Sequence, residues 1–195
     1  LSHSFQPQNS HDSYPSITKA ISQVTYFSPK ISVLHEDLET SSKASATQKK
    51  QQGDYLESDL SYNFTLNKLN QNFQPSNGYK MSFYQSIPLL SDDSAFSNSF
   101  RFANYYQITD EMIFSLNFYT NAINSLTDKD VRISKRAFLS SKRLRGFESG
   151  KVGPKDGTDF IGGNYASSIN LSTTLPGLLR DMQNLDFKLF YDIGN

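Results

Sequence analysis

Cysteine is absent from these 195 residues, which excludes disulfides, thiolate zinc sites and cysteine nucleophiles together. An excess of either charge is absent too, since 19 Lys+Arg balance 19 Asp+Glu. Without a global field to draw the chain to nucleic acid or an acidic partner, any basic patch is local. No apolar run approaches the roughly 18 residues of a membrane-spanning helix, and Leu1-Ser2-His3 opens no charged or apolar leader segment. The strands of a barrel would escape both tests. The chain has no initiator methionine and stops at Asn195 directly after an apolar alternating run, so a fragment is expected.

What is present is aromatic and small-polar: 15 Phe and 11 Tyr with Ser and Asn between them, the composition of strands and turns. Hydrophobic residues at 36% suffice for a sheet with one apolar face but are sparse for a closed globular core. Residues 1–16 show no period and read as lead-in, and Ile17 to Leu38 reads as two strands broken at Ser28-Pro29. Thr40 to Asp54 is a long polar loop. From Asp59, Leu60, Tyr62, Phe64 and Leu66 alternate with Ser61, Asn63, Thr65 and Asn67 at period two. Similar alternations follow around Tyr79–Leu90, Phe96–Ala103, Met112–Tyr119, Tyr165–Leu175 and Leu185–Ile193. About 123–160 the period fails and Gly and basic residues accumulate, a stretch too long for an ordinary hairpin.

Alternation alone does not choose between a soluble β-sandwich, with its polar faces to water, and a membrane barrel, with its apolar faces to lipid. Segments of about ten residues, short turns alternating with longer loops, and aromatics near strand ends fit the barrel better. The expectation is therefore all-β: an antiparallel up-and-down transmembrane β-barrel, present as an incomplete curved sheet of about eight strands.

The long loop contains Arg143-Leu144-Arg145-Gly146-Phe147, then Gly153-Pro154, then Ile161-Gly162-Gly163-Asn164, and the last strand is Phe190-Tyr191-Asp192-Ile193-Gly194-Asn195. This string resembles the signature of the BamA-like outer-membrane assembly family: an Arg-Gly-Phe loop tip, a Gly-Pro step, a Gly-Gly-Asn strand start and a Phe-x-Asp-x-Gly-Asn strand. The resemblance implies residues 1–195 of a barrel domain in a cell outer membrane of Gram-negative type, with a loop folded into the lumen. It also implies periplasmic POTRA domains and final strands that lie outside this sequence. It implies a tether of Arg145, Gly146 and Phe147 to the inner wall, with Gly153, Pro154, Gly162 and Gly163 shaping the loop and strand start. Parity supports this independently, because Asp186, Lys188 and Asp192 share the polar face of the last strand, and an Arg fork can pair a carboxylate bidentately. Relatives often carry a Glu where this chain has Ser172, which removes one acidic partner from the arginine.

The implied function is folding and insertion of barrel proteins, with unfolded outer-membrane clients, accessory lipoproteins, lipid and lipopolysaccharide as partners, and no enzyme activity. The runner-up is a two-partner secretion or translocation-and-assembly pore that exports a passenger; a soluble binding module is the alternative of another class. Gly146 to Val152 imitates a phosphate loop but is one residue short and lacks Ser/Thr after Lys151. Arg132, Lys135, Arg136, Lys142 and Arg143 lack the interleaved aromatics of a nucleic-acid surface and read as a solvated or lipopolysaccharide-facing loop. His3, His11 and His35 have no metal spacing, and His35-Glu36-Asp37 reads as a strand end facing water. No G-x-S-x-G elbow appears, so no catalytic residue, metal or cofactor is assigned. Two Asn-x-Ser/Thr matches, at Asn63 and Asn170, fall mid-strand and are read as chance.

Overall fold

The computed structural model describes residues 19–22, 25–91, 93–110, 112–175 and 187–195. The lead-in expected over residues 1–16 and the start expected for the last strand at Leu185 lie outside them. One antiparallel sheet of eight strands forms the wall, in the order β1-β2-β3-β4-β5-β6-β9-β10. Its strands are β1 Lys19–Ser22, β2 Thr25–Leu38, β3 Gly53–Leu69, β4 Gly78–Ser91, β5 Ala95–Gln107, β6 Ile113–Ser125, β9 Tyr165–Leu175 and β10 Phe187–Gly194. The one step in that order that skips strands is β6 to β9, across the long loop. Up-and-down order with neighbouring hairpins is the topology in which each strand is satisfied by its sequence neighbours.

The register sorts the side chains onto two unlike faces, because residues directly opposite share a face. One face carries the row Phe27, Phe64, Phe83, Phe100, paired strand to strand from β2 to β5. Tyr62 lies 5.8 Å from Phe27 and 6.4 Å from Phe83, ring centre to ring centre. Ile31, Val33, Phe64, Ile169, Leu189 and Ile193 stand exposed there. The other face buries Glu57, Ser61, Ser99, Ser115, Ser168 and Asn170. Water-soluble sandwiches bury the greasy face and expose the polar one. Here the order is inverted, as in a membrane barrel whose apolar band faces lipid and whose interior is polar, and the soluble-sandwich alternative is set aside.

Three features depart from the sequence reading. The break expected at Ser28-Pro29 does not exist: Pro29 lies within β2, opposite Tyr62. Among the described residues, pairing of β1 with β2 reaches Phe27 at Lys19, and Pro29 has no partner on that side. Pro88 is tolerated in the same way, past Ser86 where pairing of β4 with β5 ends. Thr40 to Asp54 is not all loop, since it holds a short helix, α1 Ala46–Lys50, started by a capping box between Ser45 and Gln48. The expected loop of about 123–160 covers 126–164, because β6 continues to Ser125 and β9 starts at Tyr165. Within it a small hairpin forms from β7 Lys155–Asp156 and β8 Asp159–Phe160.

Candidate functional site

The loop between β6 and β9 folds back over the polar inner face instead of standing away from the sheet. Its base is closed by two backbone hydrogen bonds, Ala137 N to Gly163 O at 2.8 Å and Gly163 N to Ala137 O at 3.0 Å. Val131, Ala137, Leu139 and Leu144 then pack with Ala95, Ile123 and Ala166 of the wall into a small apolar cluster. Gly162, at φ +68°, lies where a Cβ would come within 2.7 Å of the Phe138 ring, so the chain can enter β9 under that ring only without a side chain. Gly194 of β10 has a different constraint: its inner-facing side would carry a Cβ 2.9 Å from Leu139 Cδ1.

At the loop tip Arg145 meets Asp192 of β10. Its Nε donates to Oδ2 at 2.8 Å, its Nη2 to Oδ1 at 2.6 Å, and its backbone N–H to Oδ2 at 2.9 Å. The Asp192 side chain is 4% exposed, and the guanidinium lies 3.9 Å above the Phe190 ring. The hydrogen bond to Asp192 raises the Arg145 guanidinium above its ordinary value, so it is charged at any working pH. Gly146 follows at φ +88°, turning the chain after the fork. Phe147 lies outside this contact, with its side chain more than half exposed. Gly153, at φ +116°, leads into Pro154, whose carbonyl accepts from Ile161 N at 3.0 Å.

Ser172 is not beside Asp192. Its hydroxyl lies 2.7 Å from that of Ser115, while the β9 residue opposite Asp192 is Asn170, whose Nδ2 donates to Arg143 O at 2.7 Å. Among the described residues Asp192 is the sole carboxylate paired with Arg145.

A second anchor lies at the other side of the wall and is missing from the sequence reading. Arg132, 1% exposed, pairs with Glu57 of β3 and, at 3.3 Å, with Glu36 of β2. Its guanidinium lies 4.0 Å from the centre of the Tyr55 ring. Lys135 pairs with Glu57 at 2.6 Å, and Ser134 donates to Glu36 at 3.1 Å. Two cations of the loop thus meet two carboxylates of the wall. Burial lowers both the Arg132 and the Lys135 ordinary values, with the nearby acids opposing it.

The basic run is therefore no solvated surface: Arg132 and Lys135 point into the wall and Arg136 Nε donates to Val131 O at 2.8 Å. Arg143 stacks 3.4 Å from the Tyr119 ring centre, and only Lys142 of the five is exposed among those not engaged. Nor does Glu36 face water, although His35 and Asp37 on either side do. A sequence signal did exist, for Glu57 and Asp59 have the same parity as Ser61 and Asn63. Carboxylates on an inward polar face need cations.

A third contact ties the loop to the β2–β3 connection. Asp156 Oδ2 accepts from Thr47 N at 2.9 Å, Asp159 Oδ2 accepts from Ser45 N at 3.0 Å, and Gln51 Oε1 accepts from Ile133 N at 2.7 Å. Among the described residues no group of His, Cys, Asp and Glu is arranged to hold a metal ion, and no helix is long and apolar enough to cross a membrane.

An apolar-out, polar-in antiparallel wall with a loop fastened across its inner face defines a transmembrane β-barrel with an infolded loop. Residues 4–195 match the model of the Omp85 superfamily domain. The chain belongs to that superfamily and is an outer-membrane protein. It is 28% identical over 146 residues to the outer membrane protein assembly factor BamA of Neorickettsia risticii, covering 73% of this chain and 20% of that protein. It is 27% identical over 138 residues to the human sorting and assembly machinery component 50 homolog, covering 68% and 29%. In three dimensions it superposes on BamA of Haemophilus ducreyi lacking POTRA domains 1–3 with a TM-score of 0.81 at 18% identity, covering 92% of this chain and 40% of that one. The chain thus spans well under half the length of these relatives.

Proposed function

We propose that this chain is the wall and infolded loop of a barrel assembly factor, a protein that folds and inserts other β-barrel proteins into the outer membrane. The observation that supports it is the loop, held across the inner face by Arg132 on one side and Arg145 on the other, in a chain related to two proteins named for assembly. In this reading the Arg145–Asp192 pair and its Gly146–Phe147 turn are the tether, and Gly153, Pro154, Gly162 and Gly163 give the loop its path. The segment belongs to a larger barrel with POTRA domains ahead of it and further strands after it. Its clients are unfolded outer-membrane proteins, with accessory lipoproteins as helpers and lipid and lipopolysaccharide as surroundings. Its work is templating and not bond chemistry: an unpaired strand edge can add an incoming strand through backbone hydrogen bonds.

The test is insertion of an unfolded barrel client into liposomes that contain the full-length protein, followed by the client's heat-dependent shift in electrophoresis. Accelerated client folding, reduced by Asp192→Asn, is the expected result. Export of a passenger across the membrane without client insertion would replace this reading with the secretion-pore one.

A further inference from the structure

Between the two anchors the inner face carries a polar trough of about 470 Å³ that no contact of the loop fills, lined by residues of β3 to β6 and by Arg143. Three cations reach it: Lys80 of β4, Arg101 of β5 and Arg143 of the loop. Lys80 and Arg101 are diagonal neighbours on one face, since Lys80 pairs with Ala103 and Ser82 with Arg101. Arg101 and Arg143 share one ring, at 5.8 Å and 3.4 Å from the centre of Tyr119. No carboxylate lines the trough, and among the described residues none of the three cations has an ion-pair partner.

Like charges gathered around one ring repel. An anion between them relieves that repulsion, and Lys80 and Arg101 are both exposed to receive it. Carboxylates meet the loop arginines at both anchors, at Glu36, Glu57 and Asp192, and none lines this trough. Burial lowers the Arg143 guanidinium from its ordinary value, Tyr119 opposes that, and Arg101 adds to it.

We infer that this trough is a binding site for a phosphate-class oxyanion, held by Lys80, Arg101 and Arg143. Guanidinium forks and an ammonium suit the tetrahedral dianion, and the volume leaves room for an organic group esterified to it. Arg143 comes from the loop and the other two cations from the wall, so an occupied site fastens the loop at a third point. Binding to the folded state alone then raises stability by mass action.

The experiment is calorimetric titration of inorganic phosphate, and separately of glycerol 1-phosphate, into the full chain in detergent micelles at a pH where phosphate is doubly charged. Saturable binding is expected, weakened about tenfold or more by Arg101→Gln and by Arg143→Gln. Tighter binding of the ester identifies a carried phosphate, and equal or tighter binding of the inorganic ion a free one. Lys80→Gln lies away from every loop contact and covers the case in which Arg143→Gln disturbs the loop: weakened binding supports the site. No saturation in the parent chain, or unchanged binding in all three variants, overturns it. Because no client is involved, failure here leaves the assembly reading standing, and failure of client insertion leaves this site standing.

Discussion

The two ends of the infolded loop are anchored by arginines in unlike ways. Arg132 is enclosed, with two carboxylates, a second cation and an aromatic ring around it, and its Nη1 is left without a partner. Arg145 is a third exposed and makes three well-directed hydrogen bonds to one carboxylate. Removing a buried charge from water can cost as much as its pairing returns, so the Arg132 cluster is weak evidence of net stabilisation but strong evidence of position. Directional hydrogen bonds fix the geometry of the second pair, in which the Asp192 carboxylate is buried while a third of the arginine is open to water. The first anchor encloses both its members and the second only one. Five strand spacings, about 24 Å along the sheet, separate β3 from β10, so the loop is strung between a fully enclosed end and a half-open one.

Arg132→Met is the strongest way to break that contrast. It strands Glu36 and Glu57 without their guanidinium, a loss on the order of 3–5 kcal/mol for one member of a buried pair. A lower denaturant midpoint in micelles is the check. Adding Glu36→Gln and Glu57→Gln should recover most of the loss, since the cost lies in the stranded charges, while Lys135 keeps access to water. A triple variant as unstable as the single one would show that the cluster stabilises by its pairing.

Asp192→Asn should cost less, about 1.5–3 kcal/mol, the range for hydrogen bonds to a charged group. Its signature is local: faster hydrogen exchange at the Arg145 amide, with protection kept at Ala137 and Gly163, whose mutual bonds close the loop base. Equal loosening at both places would make the loop one rigid unit and erase the difference between its ends.

That difference also governs how much the sequence shows. The strands from Asp59 onward are legible because period two survives wherever one face is apolar and the other polar. Arg145 and Asp192 stand out because Gly-rich punctuation frames the arginine and strand parity places the aspartate. Nothing local frames Arg132, whose partner Glu57 lies 75 residues away, while its neighbour Ser134 reaches Glu36 across 98. Such closure is set by the whole sheet, and only the inward parity of Glu57 and Asp59 hints at a need for cations. Pro29 misleads because it continues an extended strand, opposite Tyr62 of β3, instead of breaking it. The helix α1 was within reach, because Ser45-x-x-Gln48 is a capping box.

Gly194→Ala probes the β10 end without touching charge. A methyl there meets Leu139 Cδ1 at 2.9 Å and Leu144 Cδ1 at 3.4 Å. Both are ends of flexible side chains, so a loss of about 1 kcal/mol is expected as the loop shifts. The amide resonances of Leu139 and Leu144 should move while those near Arg132 stay. Movement at Arg132 would mean that the loop transmits a small displacement along its whole length.

The smallest effect is expected where the loop meets α1, and it is set by pH. Hydrogen bonds from Thr47, side chain first and then backbone, hold the Asp156 carboxyl below its ordinary value. The native state therefore binds fewer protons than the unfolded one across that interval, and the contact's contribution is complete above the ordinary carboxylate range. It is lost as pH falls through the lowered native value. Because Asp156 is open to water, the consequence is confined to the contact itself. The Thr47 amide shift should titrate with an inflection below the ordinary carboxylate range, and Asp156→Asn should abolish it. An inflection at the ordinary value would mean that the Thr47–Asp156 bond is open in solution.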